Sequence, residues 1–259
     1  MLRATLAFLA LALSAIAMPA LTQTGGDPFG SLQWPELKRG YLGEKAVVLF
    51  DPDHVLVEAP AFAEDPMNVP VSVSVRGLTD VVQIVVIVDR NPIRKVLEFQ
   101  PLVPDVVLPA INFRFKLEQA SPVRAAVKTR DGVWHVGGAW VDAAGGGCTV
   151  PGASRRDGSW ARTLGEVGAR RFDRNDGGTR LRLRVMHPMD TGLANGIPAF
   201  YMNRLAVFEA AGRELLRLRT YEPLSENPVL SFDFGPLPPG PLKLVGSDNN
   251  GNRIARIIE

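Results

Sequence analysis

The chain has 259 residues and a formal net charge of +2. Its basic residues are scattered rather than clustered, which argues against nucleic acid as a partner. With 25 glycines, 21 prolines, abundant valine and few long amphipathic stretches, the composition indicates an all-β protein and excludes a helical bundle.

Residues 1–17 read as a secretory signal. Arg3 supplies a minimal basic region, residues 4–16 an apolar run, and Ala15-Ile16-Ala17 a small-x-small cleavage site. The run is shorter than the roughly 20 apolar residues of a membrane span, so no membrane insertion is expected after cleavage. The mature chain is expected to begin near Met18 in an exported space, a bacterial periplasm. About 240 residues then remain, enough for two domains of ordinary size.

Residues 27–43 hold the one plausible helix before the sheet, with Pro35 in its first turn and Gly40 or Gly43 as its stop, and it is expected to cap one end. Strands follow at 46–50 and 55–58, then at 69–75, where valines and serines alternate as in a sheet with one buried side. Residues 81–88 are apolar on both faces apart from Gln83 and should lie centrally. Asn91-Pro92 breaks the chain. Residues 111–118 alternate strictly, residues 123–128 run into the turn at Asp131-Gly132, and residues 133–141 close the set. The region 27–142 is thus expected to be an immunoglobulin-like β-sandwich.

Residues 143–162 have no periodicity and are rich in Gly, Ser, Pro and Arg. They contain Gly145, Gly146 and Gly147 followed by Cys148, the single cysteine of the chain. Three glycines remove shielding side chains, so the stretch reads as a supple Gly-rich linker with about 20 Å of reach, carrying an exposed thiol. Exported proteins normally use cysteines in pairs, and one left over implies intermolecular pairing or a working thiol. The expectation is a group carried covalently on the Cys148 sulfur. Exposure is a condition of that reading: a sulfur packed beneath a sandwich, ordered and out of reach of solvent, would require the idea of a delivery protein to be given up. Arg155 and Arg156 follow closely, and their charge would favour thiolate and attract an anionic donor.

Strands resume at 179–186, where leucines and arginines alternate, and continue at 200–209, 214–220, 229–234, 242–246 and 253–258. A second, smaller sandwich over 163–259 is expected, joined to the first by the linker.

The residues resemble the two subunits of the SoxYZ sulfur carrier in one chain. The first half is similar to SoxY through Ala59-Pro60-Ala61-Phe62-Ala63-Glu64, Asn68-Val69-Pro70-Val71, Asn91-Pro92 followed by Phe99, Asp131-Gly132, and Gly146-Gly147-Cys148. The second half is similar to SoxZ through His187-Pro188-Met189-Asp190-Thr191-Gly192, Ile197-Pro198, and Asn227-Pro228 with Phe232. The resemblance implies two packed immunoglobulin-like domains, Cys148 as the attachment point of a covalently held substrate, and periplasmic redox enzymes as partners. It also implies a carrier acted on by others rather than an enzyme. One departure stands out: Thr149-Val150 replaces the trailing glycines of the SoxY tail, and the chain continues. Fused carriers of this kind resemble a group associated with quinoprotein (PQQ) alcohol dehydrogenase systems.

The alternative is a non-covalent accessory or assembly module for such a PQQ-dependent dehydrogenase. A weaker one is a thiol enzyme with His187 as base. Asp190 can cap the Thr191-Gly192 turn, and His54 and His135 read as structural. The sequence holds no Gly-x-Ser-x-Gly elbow, P-loop, dinucleotide fingerprint or His-Glu-x-x-His, and no metal-ligand spacing, so neither cofactor nor metal is expected.

Overall fold

The computed structural model describes residues 26–237 and 239–259, so the signal read at 1–17 lies outside the described residues. The first half contributes β1 (Val48–Phe50), β2 (Val55–Glu58), β3 (Phe62–Ala63), β4 (Val69–Val75), β5 (Val81–Val88), β6 (Lys95–Pro101), β7 (Val107–Phe115), β8 (Ser121–Thr129) and β9 (Trp134–Ala143). The second half contributes β10 (Val167–Asp173), β11 (Thr179–Val185), β12 (Met202–Phe208), β13 (Glu214–Thr220), β14 (Val229–Phe234), β15 (Leu242–Asp248) and β16 (Arg253–Ile258). No helix among the described residues is long and apolar enough to cross a membrane.

The strands form two sheets layered as a sandwich. The larger, of ten strands, runs β1-β9-β8-β5-β6-β13-β12-β15-β16, with β3 paired to β9. The smaller, of six, runs β10-β11-β14-β7-β4-β2. Alternation sets which side faces in. Val69, Val71 and Val73 of β4 and Leu181, Leu183 and Val185 of β11 are buried, whereas Arg180, Arg182 and Arg184 point to solvent.

Both sheets cross from one half of the chain to the other. In the larger sheet β6 pairs with β13, placing Phe99 opposite Leu218. In the smaller, β14 pairs with β7, placing Phe232 opposite Ile111. Phe99 and Phe232 stack across the layers with ring centroids 5.8 Å apart. One hydrophobic core therefore contains residues of both halves, from Val69 and Ile84 to Leu183 and Leu244. The two domains expected from the sequence meet along continuous sheets rather than across a loose interface.

The helix expected at 27–43 is a single turn, α1 (Trp34–Leu37), which widens into a π-type turn over Lys38–Leu42. Instead of capping an end, it covers the outer face of the larger sheet. Trp34, Leu37 and Leu42 pack there on Val85, Ile87, Ala126, Trp134 and Val136. Its cover explains the doubly apolar β5: Ile84, Val86 and Val88 face the sandwich interior, while Val85 and Ile87 face the helix. A buried ion pair fastens the preceding segment, since Arg124 meets Asp89 at 2.8 Å and Asp27 at 2.7 Å beneath the ring of Trp34.

Candidate functional site

The chain leaves the first half at the end of β9 and must travel to β10 at the far edge of the smaller sheet. Cys148 lies at the start of this passage, where the two halves meet. Residues 143–162 are not the supple tether expected from their composition: they contain two short helices, α2 (Ala153–Asp157) and α3 (Trp160–Thr163). Glu226 fastens the start of α2, its carboxylate accepting from the amides of Ala153 and Ser154 at 2.7 Å each.

The three glycines serve close approach rather than mobility. Gly145 and Gly146 have φ values of +105° and +86°, which side chains rarely adopt. A Cβ on Gly147 would lie 2.3 Å from the carbonyl oxygen of Pro66 and 2.4 Å from that of Leu117. The chain fits between those backbones only without a side chain.

Cys148 is consequently buried, at 1% exposure, which corrects the expectation of an exposed thiol. Its amide donates to Glu118 Oε2 at 2.8 Å, its carbonyl accepts from Thr191 Oγ1 at 2.6 Å, and its Sγ faces the carbonyl oxygen of Lys116 at 3.5 Å. Thr149 Oγ1 adds a bond to Glu118 Oε1 at 3.1 Å. Burial pushes the thiol up to about 12, the Glu118 carboxylate adds to this, and Lys116 acts in the opposite direction. The expected thiolate bias is reversed: at neutral pH the seated sulfur is a protonated thiol.

Lys116 is the charged group that sequence reasoning missed. It is buried, and its Nζ donates to the carbonyl oxygen of Met189. Desolvation pulls its ammonium below the ordinary lysine range, with Asp190, Cys148 and Glu226 opposing the shift. Alternation over 111–118 had placed it in a strand, but β7 ends at Phe115, and Lys116 and Leu117 bond instead to the carbonyls of Pro223 and Pro66. Glu118 and Thr191, which hold Cys148 from the two halves, were also unforeseen as loop anchors.

The motif His187-Pro188-Met189-Asp190-Thr191-Gly192 from the second half wraps this seat. Met189 offers its carbonyl to Lys116, Thr191 its hydroxyl to Cys148, and Asp190 its carboxylate to Arg155 Nε at 2.6 Å. Arg155 also lies over the Trp160 ring at 4.0 Å. It is occupied by Asp190 and Trp160 rather than the sulfur, and Arg156 lines an outer cleft with Arg182 and Arg184. Asp190 itself is raised above the usual carboxylate range by burial, with Arg155 and Lys116 pulling back.

His187 is turned to other partners. Its Nδ1 accepts the Met189 amide at 3.1 Å, its Nε2 faces Asp248 Oδ2 at 3.5 Å, and Phe200 lies against the ring. Burial holds it down to about 4, so it is neutral at pH 7, and its Nδ1 lone pair is already engaged. His54 and His135 each meet Asp51 at 2.7 Å, away from the sulfur.

The seat predicts an unusual pH dependence of alkylation. Its raised thiol pKa stabilises the seated loop fully below the ordinary value of 9.0, and that contribution is lost as pH rises through about 12. The iodoacetamide rate at Cys148, followed by intact mass, should therefore keep climbing above pH 9.0 instead of levelling there as for an exposed thiol. A plateau near 9.0 contradicts the seated thiol described above.

Comparison with known families matches both halves. The family model of sulfur oxidation protein SoxY covers residues 38–148 and ends on Cys148, and that of sulphur oxidation protein SoxZ covers residues 169–256. A search of curated proteins finds no match. The domains support a role as a carrier in sulfur oxidation and imply interaction with partner Sox redox enzymes. The chain is a SoxY domain followed in tandem by a SoxZ domain, the make-up of a SoxY–SoxZ fusion of the sulfur-carrier type.

Proposed function

We propose that this protein is a periplasmic covalent carrier that holds a sulfur-containing group on Cys148 and presents it to partner redox enzymes, which perform the chemistry. The observation that carries the reading is positional. The one cysteine of the chain is the last residue of the SoxY match, and it sits where both family domains grip the same loop.

The buried seat fails the condition of exposure set from the sequence, so the reading of a permanently presented thiol is given up. The carrier reading now rests on the family match that ends on Cys148 and requires the loop to open. Closed, the protonated thiol is protected from solution oxidants. Open, it regains an ordinary thiol pKa and becomes a competent nucleophile. Loading is then an exchange: the thiolate attacks a sulfenyl sulfur on the donor, a new S–S bond forms, and the donor's leaving sulfur departs with its electron pair. An open population of about one per cent requires a gap of about 2.7 kcal/mol between the forms, within the range of local openings in folded proteins.

Cys148→Ser in place of the native copy tests this directly. Sulfur oxidation by the cells should fall to the level of a strain lacking the protein, with the variant accumulating normally. Oxidation at the native rate contradicts the proposal.

A further inference from the structure

The outer face of the smaller sheet carries charge that the fold does not use. Arg182 of β11 stands opposite Arg170 of β10, one like-charge pair across the edge of the sheet, and Arg184 stands next along the same face opposite Gly168, which offers it no partner. Direct like-charge pairs weaken a sheet, and a structure that keeps them needs another reason for them. Arg174 and Arg180, farther along, are both satisfied by Asp233. Arg170, Arg182 and Arg184 make no ion pair among the described residues.

These arginines surround a depression of about 440 Å³ that also includes Phe172 and Arg256 and is lined by no acidic residue. Phe172 is 43% exposed, an aromatic ring standing in water among guanidinium groups. Arginine and aromatic side chains together are the combination enriched in the energetic centres of protein interfaces. The site is placed to matter for Cys148. A neighbouring cleft of about 840 Å³ shares Arg182, Arg184 and Val229 with it and runs to Ala153 and Ser154, on the downstream limb of the Cys148 loop. Acidic residues flank the depression on both sides: Asp65, Asp157 and Glu226 line that cleft, and Glu58, Asp173 and Asp176 line the groove that shares Phe172 and Arg182 with the depression.

We infer that this arginine-ringed face docks an acidic protein surface, belonging to an enzyme that acts on Cys148, with an apolar residue of the partner seated against Phe172. The inference rests on the carrier reading for the identity of the partner, though not for the existence of the site. Electrostatic attraction would bring the partner in, and its seat beside α2 would place it at the limb of the loop that must move.

The test uses the full mature chain with fluorescein-labelled poly-L-glutamate as probe, followed by anisotropy. Native protein should bind with an affinity that falls as salt rises. The double reversal Arg182→Glu/Arg184→Glu should weaken binding at least about tenfold, while the control reversal Arg39→Glu/Lys45→Glu on a separate surface should leave it unchanged. Equal binding by native protein and the double reversal overturns the docking site, as does tighter binding of single-stranded DNA of equal charge. Cys148→Ser should bind the probe like native protein, so a failure of the carrier reading leaves this result intact. Adduct occupancy on Cys148 in cells then connects the site to loading: it should fall in the double reversal, and equal occupancy in native protein and double reversal contradicts a loading role for this face.

Discussion

Gly147→Ala will raise the alkylation rate of Cys148 by about 50-fold, from about one per cent open to about half open, while the sandwich stays folded. The added methyl would stand 2.3 and 2.4 Å from two carbonyl oxygens that belong to the backbones of Pro66 and Leu117, and neither can swing aside as a flexible side chain could. Overpacking of this kind costs about 1–3 kcal/mol, with rigid backbone neighbours favouring the upper end, and each 1.4 kcal/mol is a factor of ten in an equilibrium. The cost falls on the closed loop alone, because the open loop makes neither contact, so it appears as a larger open population. Alkylation read by intact mass, alongside thermal unfolding by circular dichroism, separates the two effects. An unchanged rate would mean that the glycine does not hold the seat, and complete unfolding would mean that the loop is part of the cooperative core.

Removing the anchor from the first half should act in the same direction and less strongly. In Glu118→Ala the Cys148 amide and the Thr149 hydroxyl both lose their carboxylate acceptor. A hydrogen bond to a charged group contributes about 1.5–3 kcal/mol, and part of that is recovered here from water at the loop edge, so the open population should rise about tenfold. The seated thiol should also ionise more readily, since the Glu118 charge is one of the causes that raise it. Thr191→Val, which removes the anchor from the second half, makes a useful partner: a double variant less reactive than the product of the two single effects would show that the halves grip the loop cooperatively.

The regular strands were legible because one side of each is buried. The valines of β4 and the leucines of β11 announce their inward faces by period alone, and β5 announces its central place by having no polar face. The strand that joins the halves was not legible. In β6 the adjacent Val96 and Leu97 break the alternation, and its partner β13 lies far along the chain. The edge strand β10, with Arg170-Arg171 at its middle, carries too little apolar signal to be distinguished from the linker before it.

The site was half legible for a related reason. A lone cysteine among glycines marks a position of interest, and the two family motifs named the segments that surround it. A missing Cβ, however, permits either free rotation or close approach, and only the carbonyls of Pro66 and Leu117 decide which applies at Gly147. Lys116 was hidden in the same way, since a lysine at the end of an alternating run reads as a solvated tip until the Met189 carbonyl arrives from the other half. Charge beside the cysteine was anticipated from Arg155 and Arg156, yet the structure supplies it from Lys116 and Glu118 and gives Arg155 to Asp190.

The most direct measurement is the intact mass of the protein purified from cells actively oxidising sulfur compounds, taken before and after reductant. A reductant-labile mass increase is expected, placed on Cys148 by peptide mapping and absent from Cys148→Ser. A uniformly unmodified thiol under those conditions, in a chain whose loop can be shown to open, would contradict a carrier role for Cys148.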